Sequence, residues 1–337
     1  MERGRLRVIA CASGRALAAR IVAALAKIGD DRDHVDDQLV ASNEVSFPNG
    51  EVKTVILDPV RGDDVYVVQC MQDPLTTRST NDNLMALVTA LNAAHQADAD
   101  HITAVLPQFP YARQERKKER EGITAQQVAR LIEIAGAQRV LTLDIHAQAI
   151  SGFFDRATLD DLHASGPIQE FISKTYALDN LIVVSPDVGS ADRARHYSNR
   201  FSTELAIVDK ERDYSKPSTI ARVRLVGEVR GKNVLMVDDI VDTAGTIIAG
   251  AELLKEKGAL DIYLACSLAA LNGQAVERLD KAYETGVIKT LIGTDAVYRG
   301  EAFMKAHPWY QEVSVAPLIA SVLYHINTKK SVSSLLD

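Results

Sequence analysis

The chain has 337 residues, of which 47% are hydrophobic and 25% charged, and its 38 Lys and Arg against 45 Asp and Glu give a formal net charge of −7. Because chains longer than about 250–300 residues usually form more than one hydrophobic core, we expect two domains. The negative balance excludes a broadly basic nucleic-acid-binding face, and the lack of a long apolar run or a secretory signal predicts a cytoplasmic protein that does not enter a membrane.

Short β-branched runs alternate with longer amphipathic stretches along the chain, a pattern typical of parallel sheets covered by helices. Strands are predicted at 6–11, 65–70, 101–106, 139–144, 181–187, 204–210, 233–239, 262–268 and 288–293. Helices are predicted at 15–28, 79–94, 124–135, 189–199, 243–257, 273–284 and 316–326. Two α/β units of similar size therefore follow one another.

Gly, Pro and Asp break the periodicity in SGFFDRATLDDLHASGP, residues 151–167. We therefore predict an N-terminal domain at 1–157, a C-terminal domain at 158–326, and a tail at 327–337 that could return to the N-terminal domain. The three cysteines adjoin apolar runs far apart in the chain and are expected to be small buried hydrophobes, not a disulfide framework or a zinc site. These are Cys11, Cys70 and Cys266.

The most informative segment is 234–258, where an apolar strand ends in Asp238 and Asp239 and a short loop leads into an amphipathic helix. The loop consists of Asp242, Thr243, Ala244, Gly245 and Thr246. Unpaired N–H groups and positive partial charge at the helix start form a phosphate cradle, whereas carboxylates suit the hydroxyls of a sugar. The segment predicts a site for a phosphorylated pentose. Ordinary helix capping would explain the start of the loop but not the acidic pair before it.

This segment resembles the ribose-5-phosphate loop shared by type I phosphoribosyltransferases and ribose-phosphate diphosphokinases. The chain resembles the second family along nearly its whole length. The motifs are SFPNGE (46–51), NDNLM (81–85), PYARQER (110–116), DIHAQAISGFF (144–154), SPDVGSADRAR (185–195) and VSVAPLIA (313–320). The resemblance implies an α/β fold of two consecutive phosphoribosyltransferase-like domains, each a mainly parallel sheet flanked by helices.

The same resemblance implies Mg²⁺-dependent transfer of the diphosphoryl group of ATP to the C1 hydroxyl of ribose 5-phosphate, giving phosphoribosyl diphosphate and AMP for nucleotide biosynthesis. It assigns ATP binding to Phe47, Asn49, Glu51, Arg113 and Gln114. The aromatic ring would stack on adenine, and guanidinium forks suit polyphosphate oxygens. The family usually has Asp at position 49, which puts nucleotide preference in question. A plain β-turn over 48–50 is compatible with either role.

His146 and Asp187 match the Mg²⁺ ligands of the family, and both follow predicted parallel strands at the ends where α/β sheets bind ligands. The residues alone favour a structural role for the histidine. With few protein ligands, the ion would be completed by phosphate oxygens and water. The resemblance places Asp187, Gly189, Arg193 and Arg195 in a pyrophosphate loop. A routine turn with surface arginines is the alternative.

Lys210 and Arg212 match the family's catalytic cations, which stabilise the transferring group, but the middle residue of that Lys-Arg-Arg run is Glu211 here. The family's His-Gly and Thr-Asn-Thr segments are replaced by SLAALNG (267–273) and GTDAV (293–297), and a Lys is missing near ITAQQ (123–127). Two other functions remain open: a phosphoribosyltransferase, and a non-catalytic relative that regulates a true synthetase.

The partners implied are ATP and ribose 5-phosphate, with no nucleic acid and no membrane. The family also implies self-association, with a dimer as the minimum or a hexamer, because its SFPNGE segment reaches the nucleotide of a neighbouring chain. A Phe beside Pro48 in a Pro-Asn-Gly turn is expected to be exposed, as an interface or ligand contact requires.

Overall fold

A computed structural model describes residues 3–28, 38–176, 179–212 and 220–336; the side chains of 209–212, 220–223 and 336 lie outside this description. The strands are β1 (Leu6–Ala10), β2 (Ser42–Ser46), β3 (Val52–Ile56), β4 (Asp64–Val68), β5 (His101–Val105), β6 (Arg139–Leu143), β7 (Thr158–Leu162), β8 (Leu181–Ser185), β9 (Leu205–Arg212), β10 (Ile220–Val226), β11 (Asn233–Ile240), β12 (Ile262–Leu268), β13 (Thr290–Thr294) and β14 (Tyr310–Val313). The helices are α1 (Arg15–Ile28), α2 (Thr80–Gln96), α3 (Thr124–Ile134), α4 (Ser165–Thr175), α5 (Ala191–Phe201), α6 (Gly245–Glu256), α7 (Ala275–Glu284), α8 (Glu301–Ala306), α9 (Ala316–Asn327) and α10 (Ser333–Leu336).

The chain divides into two compact units. The first comprises Met1–Ala164, Asp295–Tyr298 and Ser314–Asp337, and the second comprises Ser165–Thr294 and Arg299–Val313. Each unit has its own sheet and hydrophobic core. The sequence-based boundaries differ from this division at three places, residues 158–164, 295–298 and 314–326. β7 pairs with β6 in the first unit, and α9 packs against α1 and β1 instead of joining the second core.

The first unit is built on a sheet of order β1-β4-β5-β6-β7, in which all neighbouring strands run parallel. The strands carry β-branched side chains such as Ile9, Val65 and Ile102, which are buried in one core with residues of α2 and α3. A separate antiparallel hairpin, β2–β3, packs against α2. Ser79 and Asp82 form a reciprocal capping box at the start of α2, a motif worth about 1 kcal/mol.

The second unit has a sheet of order β10-β9-β8-β11-β12-β13-β14. Only the β9–β10 pair at one edge of this sheet is antiparallel. Apolar residues of the strands and of α6 and α7, including Met236, Leu264, Ile247 and Leu279, form its core with Trp309. Because β8 and β11 are parallel neighbours, the loops that follow them emerge side by side at the carboxyl edge of the sheet.

Each strand and helix predicted from periodicity is present, with ends that agree within two residues. The pattern missed the elements that are short or only partly buried, namely β2, β3, β7, α4, β10, α8, β14 and α10. β2 and β3, for example, contain no fully buried residue, so their alternation is weak.

All three cysteines are buried and free, as predicted, and burial raises the pKa of each thiol. Within the described ranges, no helix combines the length and the apolar character that a membrane span requires.

Candidate active site

Two of the predicted loops meet at the carboxyl edge of the second unit's sheet. The loop after β8 contains Ser190, whose hydroxyl donates a hydrogen bond to Asp238 Oδ1 at 3.0 Å. Arg193, in the first turn of α5, places Nη1 3.9 Å from Oδ1 of Asp239. The structure thus brings the predicted pyrophosphate loop and the acidic end of β11 into direct contact.

The acidic pair is held by the backbone that carries it. Asp238 Oδ1 accepts the N–H of Asp239 at 2.9 Å, and Asp239 Oδ1 accepts the N–H of Ile240 at 2.8 Å. Burial, together with the adjacent Asp239 carboxylate, raises the pKa of Asp238 to about 7. The pair is therefore a concentrated set of acceptors whose charge is poorly solvated, which is suited to the hydroxyl groups of a ligand.

Replacing Asp238 with Asn is expected to stabilise the protein, and more so at pH 8 than at pH 5. The raised pKa means that the folded state binds more protons than the unfolded state between about pH 4 and pH 7, so the stability of the parent falls as the pH rises through this window. The uncharged amide does not lose stability in this window. The free energy of unfolding of the variant minus that of the parent should therefore grow by about 2 kcal/mol from pH 5 to pH 8. Urea unfolding measures it, and an equal difference at both pH values would contradict the raised pKa.

The loop from Asp242 to Thr246 turns sharply before α6. Ala244 is buried and adopts the left-handed conformation, with φ 59°, and the helix begins at Gly245. The loop is supported by α7 and the residues just before it: Asn272 Nδ2 donates to Asp242 Oδ1 at 2.9 Å, and Arg278 Nη1 donates to the Thr243 carbonyl at 2.8 Å. A curved loop that leads straight into a helix N-terminus is the geometry expected of a phosphate site.

The loop after β8 is tight and internally bonded. Asp187 Oδ1 accepts the N–H of Ser190 at 2.9 Å, and the Ser185 hydroxyl donates to the Asp187 carbonyl at 2.6 Å. A Cβ at Gly189 would lie 3.3 Å from Asp187 Oδ1, so a side chain there would crowd this carboxylate. Arg195 is exposed on α5. The predicted pyrophosphate residues therefore share one turn and the helix that follows it.

The predicted nucleotide residues 47–51 form the turn of the β2–β3 hairpin in the first unit. The N–H of Phe47 donates to the Glu51 carbonyl at 2.8 Å, and Asn49 Oδ1 accepts the N–H of Glu51 at 3.1 Å. Phe47 is 40% exposed, as predicted, and Lys53 Nζ lies 5.7 Å from its ring centroid. Both Asn49 and Glu51 are also exposed. The turn and an exposed aromatic ring are therefore present together.

Two further predicted segments lie in loops of the first unit. Arg113 and Gln114 are exposed in the loop between β5 and α3, where the N–H of Gln114 donates to the Tyr111 carbonyl at 2.9 Å. His146 is exposed in the loop after β6. That loop is fixed two residues earlier, where the buried Asp144 side chain accepts the N–H of Ala164 at 3.0 Å.

The donors predicted for Mg²⁺ are one imidazole, His146, and one carboxylate, Asp187. Among the residues that the structure describes, no three His, Cys, Asp or Glu side chains form a group that could hold a metal ion. Mg²⁺ is commonly bound by one or two protein ligands together with substrate phosphates and water. Each donor is of a kind that can hold such an ion, with the remaining oxygens left to a polyphosphate substrate and water.

The chain is similar in sequence to known enzymes over both units. The family model for the N-terminal domain of ribose phosphate pyrophosphokinase matches residues 6–136, and the model for a phosphoribosyl transferase domain matches residues 158–295. The ribose-phosphate pyrophosphokinase of Chlorobaculum tepidum is 39% identical over 293 residues, covering 87% of this chain and 86% of that protein. The chain belongs to the ribose-phosphate pyrophosphokinase family. Diphosphokinase is another word for the same activity, so the predicted family is confirmed.

Other members of the family agree with this assignment. The ribose-phosphate pyrophosphokinase of Cereibacter sphaeroides is 41% identical over 302 residues, covering 89% of this chain and 86% of that protein. The crystal structure of phosphoribosylpyrophosphate synthetase from Mycobacterium smegmatis matches with a TM-score of 0.82 at 32% identity, covering 96% of this chain and 98% of that one. The predicted fold of two phosphoribosyltransferase-like domains is thereby confirmed.

The cations that match the catalytic pair of the pyrophosphokinase family lie at the end of β9. In the ladder with β10, Lys210 stands opposite Val223 and Arg212 opposite Ile220. The side chains of Lys210 and Arg212 lie outside the described part of the chain, so their predicted role stays a prediction.

Sequence reasoning missed three side chains that touch the predicted sugar and phosphate residues: Ser190, Asn272 and Arg278. Ser190 lies inside the SPDVGSADRAR motif (185–195), and its hydroxyl group was the available signal. Asn272 lies in the segment 267–273 that departs from the pyrophosphokinase pattern. Arg278 is an exposed arginine on an amphipathic helix, which has no distinguishing pattern.

Proposed function

We propose that the protein is a ribose-phosphate pyrophosphokinase that transfers the β,γ-diphosphoryl group of ATP to the C1 hydroxyl of ribose 5-phosphate. The observation that carries the proposal is the contact between Ser190 and Asp238, which joins a loop suited to a diphosphate with a loop suited to a phosphorylated sugar. A member of this family that holds both loops at one sheet edge offers neighbouring sites for the sugar phosphate and the diphosphate that the transfer joins.

In this reaction the C1 oxygen of ribose 5-phosphate attacks the β-phosphorus of ATP, the bond from that phosphorus to the α,β-bridging oxygen breaks, AMP leaves, and the hydroxyl proton is released. Such transfers depend on in-line positioning and charge stabilisation. Asp238 and Asp239 accept hydrogen bonds from the ribose hydroxyls, and the 242–246 loop holds the 5-phosphate. The 187–195 segment holds the diphosphate, and Lys210 and Arg212 stabilise its charge as it transfers.

The adenine and polyphosphate groups of ATP are assigned to the exposed residues of the first unit. Phe47 offers a ring face for stacking, and Asn49 and Glu51 offer polar groups to the edge of the base. Arg113 and Gln114 bind the phosphates. A cytoplasmic location, where ATP is available and thiols stay reduced, is part of the same proposal and agrees with the three free cysteines.

The decisive assay incubates purified protein with Mg²⁺, ATP and ribose 5-phosphate and separates the nucleotides. AMP and phosphoribosyl diphosphate should form in equal amounts, and only when ribose 5-phosphate is present. Formation of ADP would refute the proposal. Consumption of phosphoribosyl diphosphate and a free base without ATP would identify a phosphoribosyltransferase, and no turnover at all would favour a regulatory relative.

We propose Mg²⁺ as the metal, with His146 and Asp187 as its protein ligands. When bound, the ion neutralises negative charge on the transferring diphosphate. Replacing His146 with Ala should raise the Mg²⁺ concentration needed for half-maximal activity by on the order of 10-fold, because one of few protein ligands is lost. The activity of the variant should recover as Mg²⁺ is increased.

The matched control is His101→Ala, which removes an imidazole at the amino end of β5. Its Mg²⁺ dependence should equal that of the parent. If His146→Ala and His101→Ala have the same Mg²⁺ dependence, His146 is not a ligand.

We propose that the active site is shared between subunits, so that a dimer is the smallest competent unit and larger closed assemblies contain such dimers. The exposed Phe47 on the β2–β3 hairpin turn supports this. Mixing inactive Phe47→Ala and Lys210→Ala chains should restore part of the activity, because mixed dimers contain one intact shared site. Absence of recovery despite demonstrated subunit exchange would show that each site lies within one chain.

A further inference from the structure

Arg278 of α7 and the segment that leads into this helix bond to the predicted 5-phosphate loop (242–246) and to the residue before it. The contacts are Leu271 N–H to the Val241 carbonyl (3.0 Å), Asn272 N–H to the Asp242 carbonyl (2.8 Å), Asn272 Nδ2 to Asp242 Oδ1 (2.9 Å) and Arg278 Nη1 to the Thr243 carbonyl (2.8 Å). The two backbone contacts join the chain that follows β12 to the chain that follows β11. The two side-chain contacts, by contrast, reach residues that are predicted to meet the substrate.

The Arg278 contact fixes the peptide between Thr243 and Ala244. Because the C=O and N–H of a trans peptide point in opposite directions, holding the Thr243 carbonyl on the guanidinium turns the Ala244 N–H to the other side of the loop. The left-handed conformation of Ala244 costs about 1–2 kcal/mol, so contacts from outside the loop are needed to keep it.

The guanidinium is itself held in place. Its Nη2 donates to Gln274 Oε1 at 3.1 Å, one turn earlier on the same side of α7. A Cβ at Gly245 would lie 3.4 Å from Arg278 Nη1, so the guanidinium lies directly over the first residue of α6. An arginine can make both bonds at once because its donors are spread over a rigid, planar fork. The ammonium group of a lysine is a compact point charge without that geometry.

We propose that Arg278 and Asn272 are positioning residues for the 5-phosphate of ribose 5-phosphate. Neither is assigned a contact with the substrate. Arg278 directs the Ala244 N–H into the phosphate cradle, and Asn272 holds the carboxylate of Asp242 at the entrance of the same loop. This inference rests on the proposed function, because it takes ribose 5-phosphate as the ligand of the loop.

The test compares Arg278→Ala with the parent by steady-state kinetics and by calorimetric binding of ribose 5-phosphate. The KM and Kd of ribose 5-phosphate should each rise on the order of 10-fold, as expected for a lost hydrogen bond that involves a charged group. The KM of ATP and kcat should stay within about 2-fold, because only the positioning of one substrate is affected. Arg278→Lys should recover part of the loss by restoring one donor.

Two further variants sharpen the comparison. Lys281→Ala removes an exposed cation from the same helix and should leave the ribose 5-phosphate constants unchanged, which separates positioning from a general effect of positive charge. Asn272→Ala should raise the KM of ribose 5-phosphate by about 3-fold, since a neutral donor to a carboxylate at an exposed site is lost.

The outcomes are distinguishable. If the parent binds ribose 5-phosphate and forms AMP while Arg278→Ala binds it equally well, the positioning role is refuted and the proposed function stands. Equal increases in the KM of both substrates, with a lower Tm, would also refute it by showing a general structural role. If the parent neither binds ribose 5-phosphate nor forms AMP, the proposed function fails and this inference fails with it.

Discussion

Replacing Lys210 with Ala is expected to lower kcat by on the order of 10²-fold or more, with a much smaller change in the KM of either substrate. The physical reason is that a preorganised cation stabilises charge that is greatest on the diphosphoryl group in the transition state. Before transfer, the same charge is spread over ATP and its metal. The loss of Lys210 therefore affects the chemical step more than binding.

The control for this experiment is Lys232→Ala, since Lys232 precedes the amino end of β11 and pairs with Glu204 at 2.5 Å. That lysine lies at the opposite edge of the sheet from the predicted site, so kcat should change by less than about 2-fold. Single-turnover rates should show the Lys210 effect as well. If kcat of Lys210→Ala equals that of the control, Lys210 is an ordinary surface lysine.

Replacing Asp239 with Asn should lower kcat/KM for ribose 5-phosphate by on the order of 10²-fold. The change removes a buried charged acceptor, and hydrogen bonds to charged groups contribute about 1.5–3 kcal/mol. The amide also presents a donor where a sugar hydroxyl requires an acceptor. The KM of ATP should change little. Initial rates with ribose 5-phosphate varied at saturating ATP measure the effect.

Asp261→Asn is the matched control for Asp239→Asn. Asp261 lies just before β12, at the amino edge of the same sheet, and pairs with Lys289 at 3.4 Å. The same carboxylate-to-amide change should there leave kcat/KM within about 2-fold, because an exposed ion pair contributes little. A comparable loss in both variants would mean that Asp239 acts through the stability of the sheet and not through the sugar.

Much of the fold could be predicted from local patterns. β-branched runs and helical spacing located the strands and helices, because burial of one face or stripe imposes a period that short stretches of sequence record. β7 and α9 show the limit of this reasoning. α9 has an ordinary helical pattern but packs on α1 of the first unit, and β7, which the pattern missed, is recognised only by its pairing with β6.

The residue types of the site could also be predicted from local patterns, since the acidic pair, the 242–246 loop and the SPDVGS turn are contiguous segments whose chemistry is local. The contacts that hold these segments in place, by contrast, come from residues far away in the chain. Ser190 reaches Asp238 across 48 positions, and Asn272 reaches Asp242 across 30. Such contacts depend on which strands become neighbours and on the exit angles of their loops, and that order is fixed by packing of the whole sheet, which no single segment encodes.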